Sequence, residues 1–363
     1  MKIDWIIRCC NKLLLDGEYG ATDIDNLTVK ELDDSLNMAS QHGVLPVVME
    51  NLVKNGSIAP EKKTVIIQWY AVSESSKEGY VKRLLMMKEI ALKFKQDGLD
   101  VMFLKGATTA KLYPKPELRV FSDIDYYMYG DSEKSIFSLK SMGVETKEYF
   151  NHHTQANMNG ILLENHYDFL DRDNHKGNLL LDDELKRLAK TEGHQYPFTF
   201  DDKNITNAYC MSPTMNAIFL MRHMAAHFFS ESISLRMLYD WGLFQKQFAR
   251  VVDWALVLKL YQEAGMQIFP QMIQGVIKTK LGWNLPDSPV RPINNEMTER
   301  IWWSIVKPPA VNQYKKNSVQ YLLFEAKVFY KNRWKHKLVF KNESYWYLFI
   351  SYTFQYMKKL IMN

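Results

Sequence analysis

Two carboxylates one residue apart inside an apolar run constrain this chain more than any other feature. The run is FSDIDYYM, residues 121–128, and the carboxylates are Asp123 and Asp125. In a strand, residues i and i+2 share a face, so both carboxylates project together while Ile124 turns to the core. Burying like charges side by side is costly unless a cation offsets them. Oxygen ligands in this arrangement suit a hard divalent ion, Mg²⁺ or Mn²⁺. A D-x-D alone is a common feature of loops and solvated strand ends, so its neighbours decide how it is read.

Those neighbours carry complementary chemistry. Upstream, the apolar stretch LDVMFLKG stops at Lys105-Gly106 and a short helical segment follows. Glycine lets backbone approach a ligand closely, and N–H groups opening a helix attract anions. Lys105 adds a point charge, although a solvated strand-end lysine would look the same in sequence. Arg119 lies between this turn and the carboxylates, where it can contact a phosphate or bridge to the Asp pair. Downstream, alternation in LLENHY places Glu164 and His166 on one face. Glu164 is therefore the expected third carboxylate from a neighbouring strand, with Asp168 and Asp171 as rivals. His166 is expected to orient Glu164 or touch the acceptor. Three carboxylates around two metal ions suit in-line nucleotidyl transfer, and a triphosphate on the Lys-Gly turn completes an NTP–metal site.

The surrounding pattern predicts an α+β fold: a small mixed-sheet core flanked by helical N- and C-terminal regions. Expected boundaries are 1–80 (helical), 81–208 (core), 209–300 (helical) and 301–363 (a basic, aromatic helical tail). Thr28 and Glu31 form a capping-box signature for a helical stretch that runs on to Gly56. A further helix is predicted over 62–96, with Gly98 as its left-handed cap. Strands are expected in LDVMFLKG, FSDIDYYMY, VETKEYF and GILLENHYDFL, with a helix over 131–142. Ser212-Pro213 opens the C-terminal helices, which continue over 232–248 and 253–265.

The stretch FLKGATTAKLYPKPELRVFSDIDYYM resembles the central motif of the uncharacterised nucleotidyltransferase family within the DNA polymerase beta superfamily. That motif is LKG, then Tyr-Pro, then Arg, then a Gly/Ser-Asp-Ile-Asp strand. Glu164-Asn165-His166 resembles the family's acidic-x-His strand. RHMAAHFFSESISLRMLYDWGLF, residues 222–244, resembles a helical segment with a His and a later Arg…Asp pair, and QHGVLPVVMENL resembles its N-terminal helices. The resemblance runs from about residue 30 to about 265. It implies a nucleotidyltransferase fold and site, with cleft roles for His227, Arg236 and Asp240 beside the residues above. Ser122 stands where a Gly is common, and Tyr126-Tyr127 replace the usual leucines. His223 and His227 stand four apart, but HMAAH lacks the glutamate of a zinc helix, and no zinc is expected.

Charge is divided along the chain. Net charge is +5, yet residues 301–363 carry eleven Lys/Arg against Glu325 and Glu343. The basic tail interleaves these cations with aromatics. Docking of its end, residues 340–363, onto the protein's own helices is the expected covering. A membrane surface or nucleic acid would serve the same aromatics. Three cysteines form no framework, and a reducing, cytoplasmic setting is expected. The expected activity is Mg²⁺- or Mn²⁺-dependent transfer of an NMP from an NTP to a hydroxyl acceptor. The acceptor is open: a small molecule, a polysaccharide precursor, RNA or protein. A degenerate nucleotide-binding assembly protein and a toxin-like enzyme modifying RNA or protein are the alternatives.

Overall fold

In the computed structural model, residues 2–19, 24–55, 58–150, 152–173, 175–201, 203–230, 232–307 and 318–350 are described. Helix α1 (Lys2–Leu14) turns Trp5, Ile6, Cys9, Cys10 and Leu13 inward. Helix α2 (Val29–Gln41) starts on the expected capping box: Glu31 N–H donates to Thr28 Oγ1 at 3.2 Å, and Thr28 N–H donates to Glu31 Oε2 at 2.9 Å. The helical stretch expected to continue to Gly56 is broken instead. Gly43 takes φ +67°, a conformation that terminates helices, and the chain restarts as α3 (Leu45–Asn55). Helix α4 (Lys63–Gln96) runs 34 residues and closes at Gly98, φ +71°.

The sheet has six strands in the order β3-β4-β5-β2-β1-β6. They are β1 (Val101–Phe103), β2 (Asp123–Tyr127), β3 (Thr146–Phe150), β4 (His153–Met158), β5 (Ile161–His166) and β6 (Ala208–Cys210). Pairs β2/β5 and β1/β6 are parallel; β1/β2, β3/β4 and β4/β5 are antiparallel. The mixed sheet between helical flanks is the expected α+β class.

Period-two alternation splits the sheet into two unlike faces. Ile124, Tyr126, Phe103 and Leu163 point to one face, where Met86, Ile90 and Phe94 of α4 cover them in a separate apolar cluster. Phe94 and Tyr126 pack ring to ring at 5.7 Å. The opposite face carries Asp123, Asp125, Glu164 and His166, and its apolar margin (Met102, Leu104, Tyr127) joins the main core. Short helix α5 (Ala107–Ala110) follows β1, α6 (Ser132–Ser141) links β2 to β3, and α7 (Lys176–Glu192) follows β5.

Helix α8 (Pro213–Ser230) is apolar nearly all round and is buried accordingly. Met215 N–H donates to the Ser212 hydroxyl at 3.2 Å, so the expected N-cap forms. Against α8 pack α9 (Leu235–Phe248) and α10 (Trp254–Glu263), while α11 (Ile268–Val276) and α12 (Glu296–Val306) pack on each other in the same core. No helix among the described residues is long and apolar enough to cross a membrane.

The tail begins with α13 (Val319–Lys331), which buries no residue, and α14 (Arg333–Val339). Leu338, Val339, Phe340 and Leu348 sit in the main core, while Trp346, Tyr347 and Ile350 are exposed. Phe340 stacks on His175 at 3.8 Å, and Glu343 accepts from His175 Nδ1 at 2.8 Å. The tail is therefore docked through residues 335–348. Residues 351–363, with Phe354, Lys358 and Lys359, lie outside the described residues, as do Lys315, Lys316 and Gly56.

Candidate active site

Parallel pairing of β2 with β5 sets the site's register. Asp123 lies opposite Leu162, Asp125 opposite Glu164, and Tyr127 opposite His166. Antiparallel β4 adds a third row, Gln155 opposite Glu164 and His153 opposite His166. One sheet face therefore presents a small array of carboxylates, imidazoles and an amide.

Asp125 is its centre, with a side chain only 1% exposed. Its Oδ1 faces His166 Nε2 at 3.1 Å and Lys105 Nζ at 3.2 Å. Burial alone would raise its pKa, but the Lys105 ammonium outweighs that and holds the carboxyl well below the usual range. Its other oxygen, Oδ2, is buried with no hydrogen-bond partner. Asp123 is more open, and its Oδ2 is 3.7 Å from Lys105 Nζ. Burial disfavours the Lys105 ammonium, yet Asp125, Asp123 and Glu164 together raise its pKa.

Glu164 accepts from Gln155 Nε2 at 3.0 Å through Oε1, while its Oε2 is 3.8 Å from His166 Nε2. Burial and the Asp125 charge push its pKa up to about 7. Three carboxylates thus share one ammonium, and the site carries more negative charge than its own cation offsets. A sealed, unpartnered Asp125 oxygen and a carboxyl driven toward protonation are what a divalent ion would relieve. Ligand atoms of Asp125, Glu164 and His166 lie within 4.8 Å of one another, as do those of His152, His153 and His166. The residues present fit a divalent cation.

Gly106 holds φ +67° and ψ −112°, and a Cβ there would lie 2.9 Å from the Phe121 ring. Glycine is required on both counts. The helix after it has only four residues, so an anion at this turn would meet backbone and Lys105 rather than a helix dipole. Arg119 lines the smaller cavity described below, and its hydrogen bonds run to Asp240 rather than to the Asp pair. Its Nε and Nη2 each donate to Asp240 carboxylate oxygens at 2.8 Å, and Nη1 donates to the Gly106 carbonyl at 3.1 Å. Tyr113 donates to the same Asp240 at 2.9 Å. This buried fork is a two-pronged, charge-assisted pair. Asp240, expected to face the cleft beside Arg236, is held by Arg119 and Tyr113 at the cleft's edge.

Arg236 instead donates to the Val120 carbonyl at 2.5 Å. Burial and the Arg119 charge lower its pKa, so it is a cation short of compensation. It lines a cavity of about 180 Å³ with Gly106, Ser122, Asp123 and His227. A second cavity of about 450 Å³ holds Asp125, Glu164, His166, Asp171 and Phe340. Lys105, Asp123, His223 and His227 line both. The cleft is thus divided by charge: a cationic smaller lobe and an anionic wall in the larger one. Of the sequence rivals to Glu164, Asp168 is held by Lys186 and Asp171 lines the larger lobe. His223 and His227 both reach the cleft, with rings 4.5 Å apart.

His152 and His153 are too generic to assign from sequence, and Gln155 is not singled out there. Their signal was present in HTQANM followed by Asn159-Gly160, an alternating run ending in a hairpin dipeptide.

The family described as "Uncharacterised nucleotidyltransferase" matches residues 29–277, more than half of the chain. Neither a curated protein nor a solved structure matches it.

Proposed function

The chain belongs to the uncharacterised nucleotidyltransferase family, and from that premise we propose that it moves a nucleoside monophosphate from an NTP to a hydroxyl acceptor. The acceptor oxygen bonds to the α-phosphorus, the bond from that phosphorus to the bridging oxygen breaks, and pyrophosphate leaves. Asp123, Asp125 and Glu164 hold divalent metal, Mg²⁺ or Mn²⁺, and one carboxylate of the set takes the acceptor's proton. The metal supplies charge stabilisation to the phosphoryl oxygens when bound. Lys105, Gly106, Ser122 and Arg236 receive the phosphates in the smaller lobe. The half-buried, undercompensated charge of Arg236 supports that assignment. Arg119, held by Asp240, fixes the Gly106 turn and lines the same lobe. The acceptor enters the larger lobe, where His166 and His227 line its path.

One observation carries the reading: Asp125, sealed and with an oxygen left unpartnered, stands in register with Glu164 beneath Lys105. Incubation of the protein with each α-³²P-NTP, Mg²⁺ or Mn²⁺, and cell extract tests it. Label is expected in one acceptor fraction with one preferred NTP. Absence of label with every NTP, together with metal-dependent NTP binding, would leave the degenerate nucleotide-binding protein instead.

A further inference from the structure

The ring of His166 is fixed between two acceptors, and a neutral imidazole cannot serve both. Nδ1 lies 3.3 Å from the backbone carbonyl of Asp168. Both partners only accept, and a neutral ring has one N–H to give. With that N–H turned to the carbonyl, the neutral ring leaves Nε2 a bare lone pair. That lone pair points into negative charge, 3.1 Å from Asp125 Oδ1 and 3.8 Å from Glu164 Oε2. A lone pair facing two carboxylates is repulsive unless a cation or a proton stands among them. Histidines that bind metal show the same arrangement, one ring nitrogen donating to a carbonyl and the other turned to the ion.

Three further observations favour an ion. Asp125 Oδ2 is sealed without a hydrogen bond, so it has capacity that a proton on His166 would leave unused. Ligand atoms of Asp125, Glu164 and His166 lie within 4.8 Å of one another. Bonds of about 2.1 Å to one ion hold ligand atoms no farther apart than about twice that length, so a small closure suffices. The wall beyond is nitrogen-rich: the rings of His152 and His153 lie 5.3 and 5.2 Å from that of His166.

We propose that His166 is a direct ligand, through Nε2, of a divalent ion shared with Asp125 and Glu164, and that this nitrogen selects a first-row transition ion such as Mn²⁺ over Mg²⁺. The proposal rests on the nucleotidyl-transfer reading for its purpose but not for its test. Magnesium takes oxygen ligands and water, whereas imidazole suits transition ions. A mixed set of two carboxylates and one imidazole therefore shifts preference away from Mg²⁺.

The probe is Mn²⁺ alone, added to the full-length protein and followed by electron paramagnetic resonance. Pulsed measurements are expected to show coupling to a directly bound ¹⁴N, replaced by ¹⁵N coupling when the protein is labelled with ¹⁵N-histidine. His166→Gln should remove the coupling and weaken Mn²⁺ binding at least about tenfold. A hundredfold excess of Mg²⁺ should leave most of the Mn²⁺ bound. Mn²⁺ held without nitrogen coupling, or displaced by equimolar Mg²⁺, would overturn the proposal even if labelled NTP is turned over. Nitrogen coupling without turnover would sustain the proposal and count only against the activity.

Discussion

Two buried charged clusters lie a short distance apart in this protein, and they are built on opposite terms. In the Arg119–Asp240–Tyr113 cluster every partner is supplied by the protein: a two-pronged ion pair, a phenol hydroxyl and a carbonyl. In the Asp123–Asp125–Glu164 cluster the partners run out. One carboxylate oxygen is orphaned, one carboxyl is pushed toward neutrality, and a single ammonium is divided between two aspartates. A buried charge that is fully paired holds structure together, whereas one left short marks a place where something else binds. The same residue types in sequence thus serve two ends, and satisfaction separates them.

The sharpest way to break this contrast is to neutralise the centre of the unsatisfied cluster. Asp125→Asn should reduce labelled-nucleotide transfer by a factor of about 10³ or more, since charge stabilisation worth several kcal/mol is lost. Its stability should change by no more than about 1–2 kcal/mol, because Lys105 keeps Asp123 and Glu164 loses a like-charged neighbour. Transfer assays and urea unfolding on one preparation measure both. Retained transfer would remove Asp125 from the reaction.

The satisfied cluster should respond the other way. Asp240→Ala leaves Arg119 buried without its counter-ion and should cost about 3–5 kcal/mol. Replacing both partners, Arg119→Leu with Asp240→Leu, should recover part of that loss, since apolar pairs of similar volume tolerate such sites. Urea unfolding of the three variants checks this. An Asp240→Ala protein as stable as the parent would mean that the pair is not structural.

Between the clusters lies Gly106, whose carbonyl accepts from Arg119 while Lys105 beside it reaches the carboxylates. Gly106→Ala forces a side chain into a glycine-only conformation and against Phe121. It should lower stability by about 1–3 kcal/mol. It should also weaken NTP binding, because Lys105 moves with the turn. Thermal unfolding and nucleotide titration in Ca²⁺ would report the two effects.

How much of this was legible in the sequence follows from where the information resides. Asp123, Asp125 and Glu164 could be read because alternation in a strand is local, and Lys105-Gly106 because a strand ended there. The fate of Arg119 could not be read, since its partner Asp240 is 121 residues away and no periodicity connects them. Strand β4 was legible in principle, as Asn159 and Gly160 both take positive φ in the hairpin turn their dipeptide favours. The polar face of His153 and Gln155 reads as loop unless that turn is noticed. The break at Gly43 was hidden in the same way, since apolar spacing continues across it while the backbone does not. Docking of Phe340 and Glu343 beside the cleft is tertiary and had no local signal beyond aromatic content.

The smallest effect concerns pH, and it separates the clusters without disabling either. With no ion bound, Glu164 has its pKa raised to about 7 from an ordinary 4.5 by burial and by the charge of Asp125. The folded protein therefore holds that proton more tightly than the unfolded chain does. Below about pH 4.5 both states are protonated and the group contributes nothing to the pH dependence. As pH rises from about 4.5 to about 7, the unfolded chain ionises first and stability falls; above about 7 the loss is complete. Solvent reaches the carboxyl, so the loss should be on the order of 1–2 kcal/mol. Glu164→Gln has no proton to lose, so the difference in stability between parent and variant should slope across that window and be flat outside it. Asp240→Ala leaves Glu164 in place, so it should lie below the parent by a constant amount from pH 6 to 8. Chelator-treated samples unfolded in urea at pH 4.5, 6 and 8 would show both patterns. A parent-minus-Glu164→Gln difference that stayed level from pH 4.5 to 8 would mean that Glu164 is already satisfied, and the contrast between the two clusters would fail at that residue.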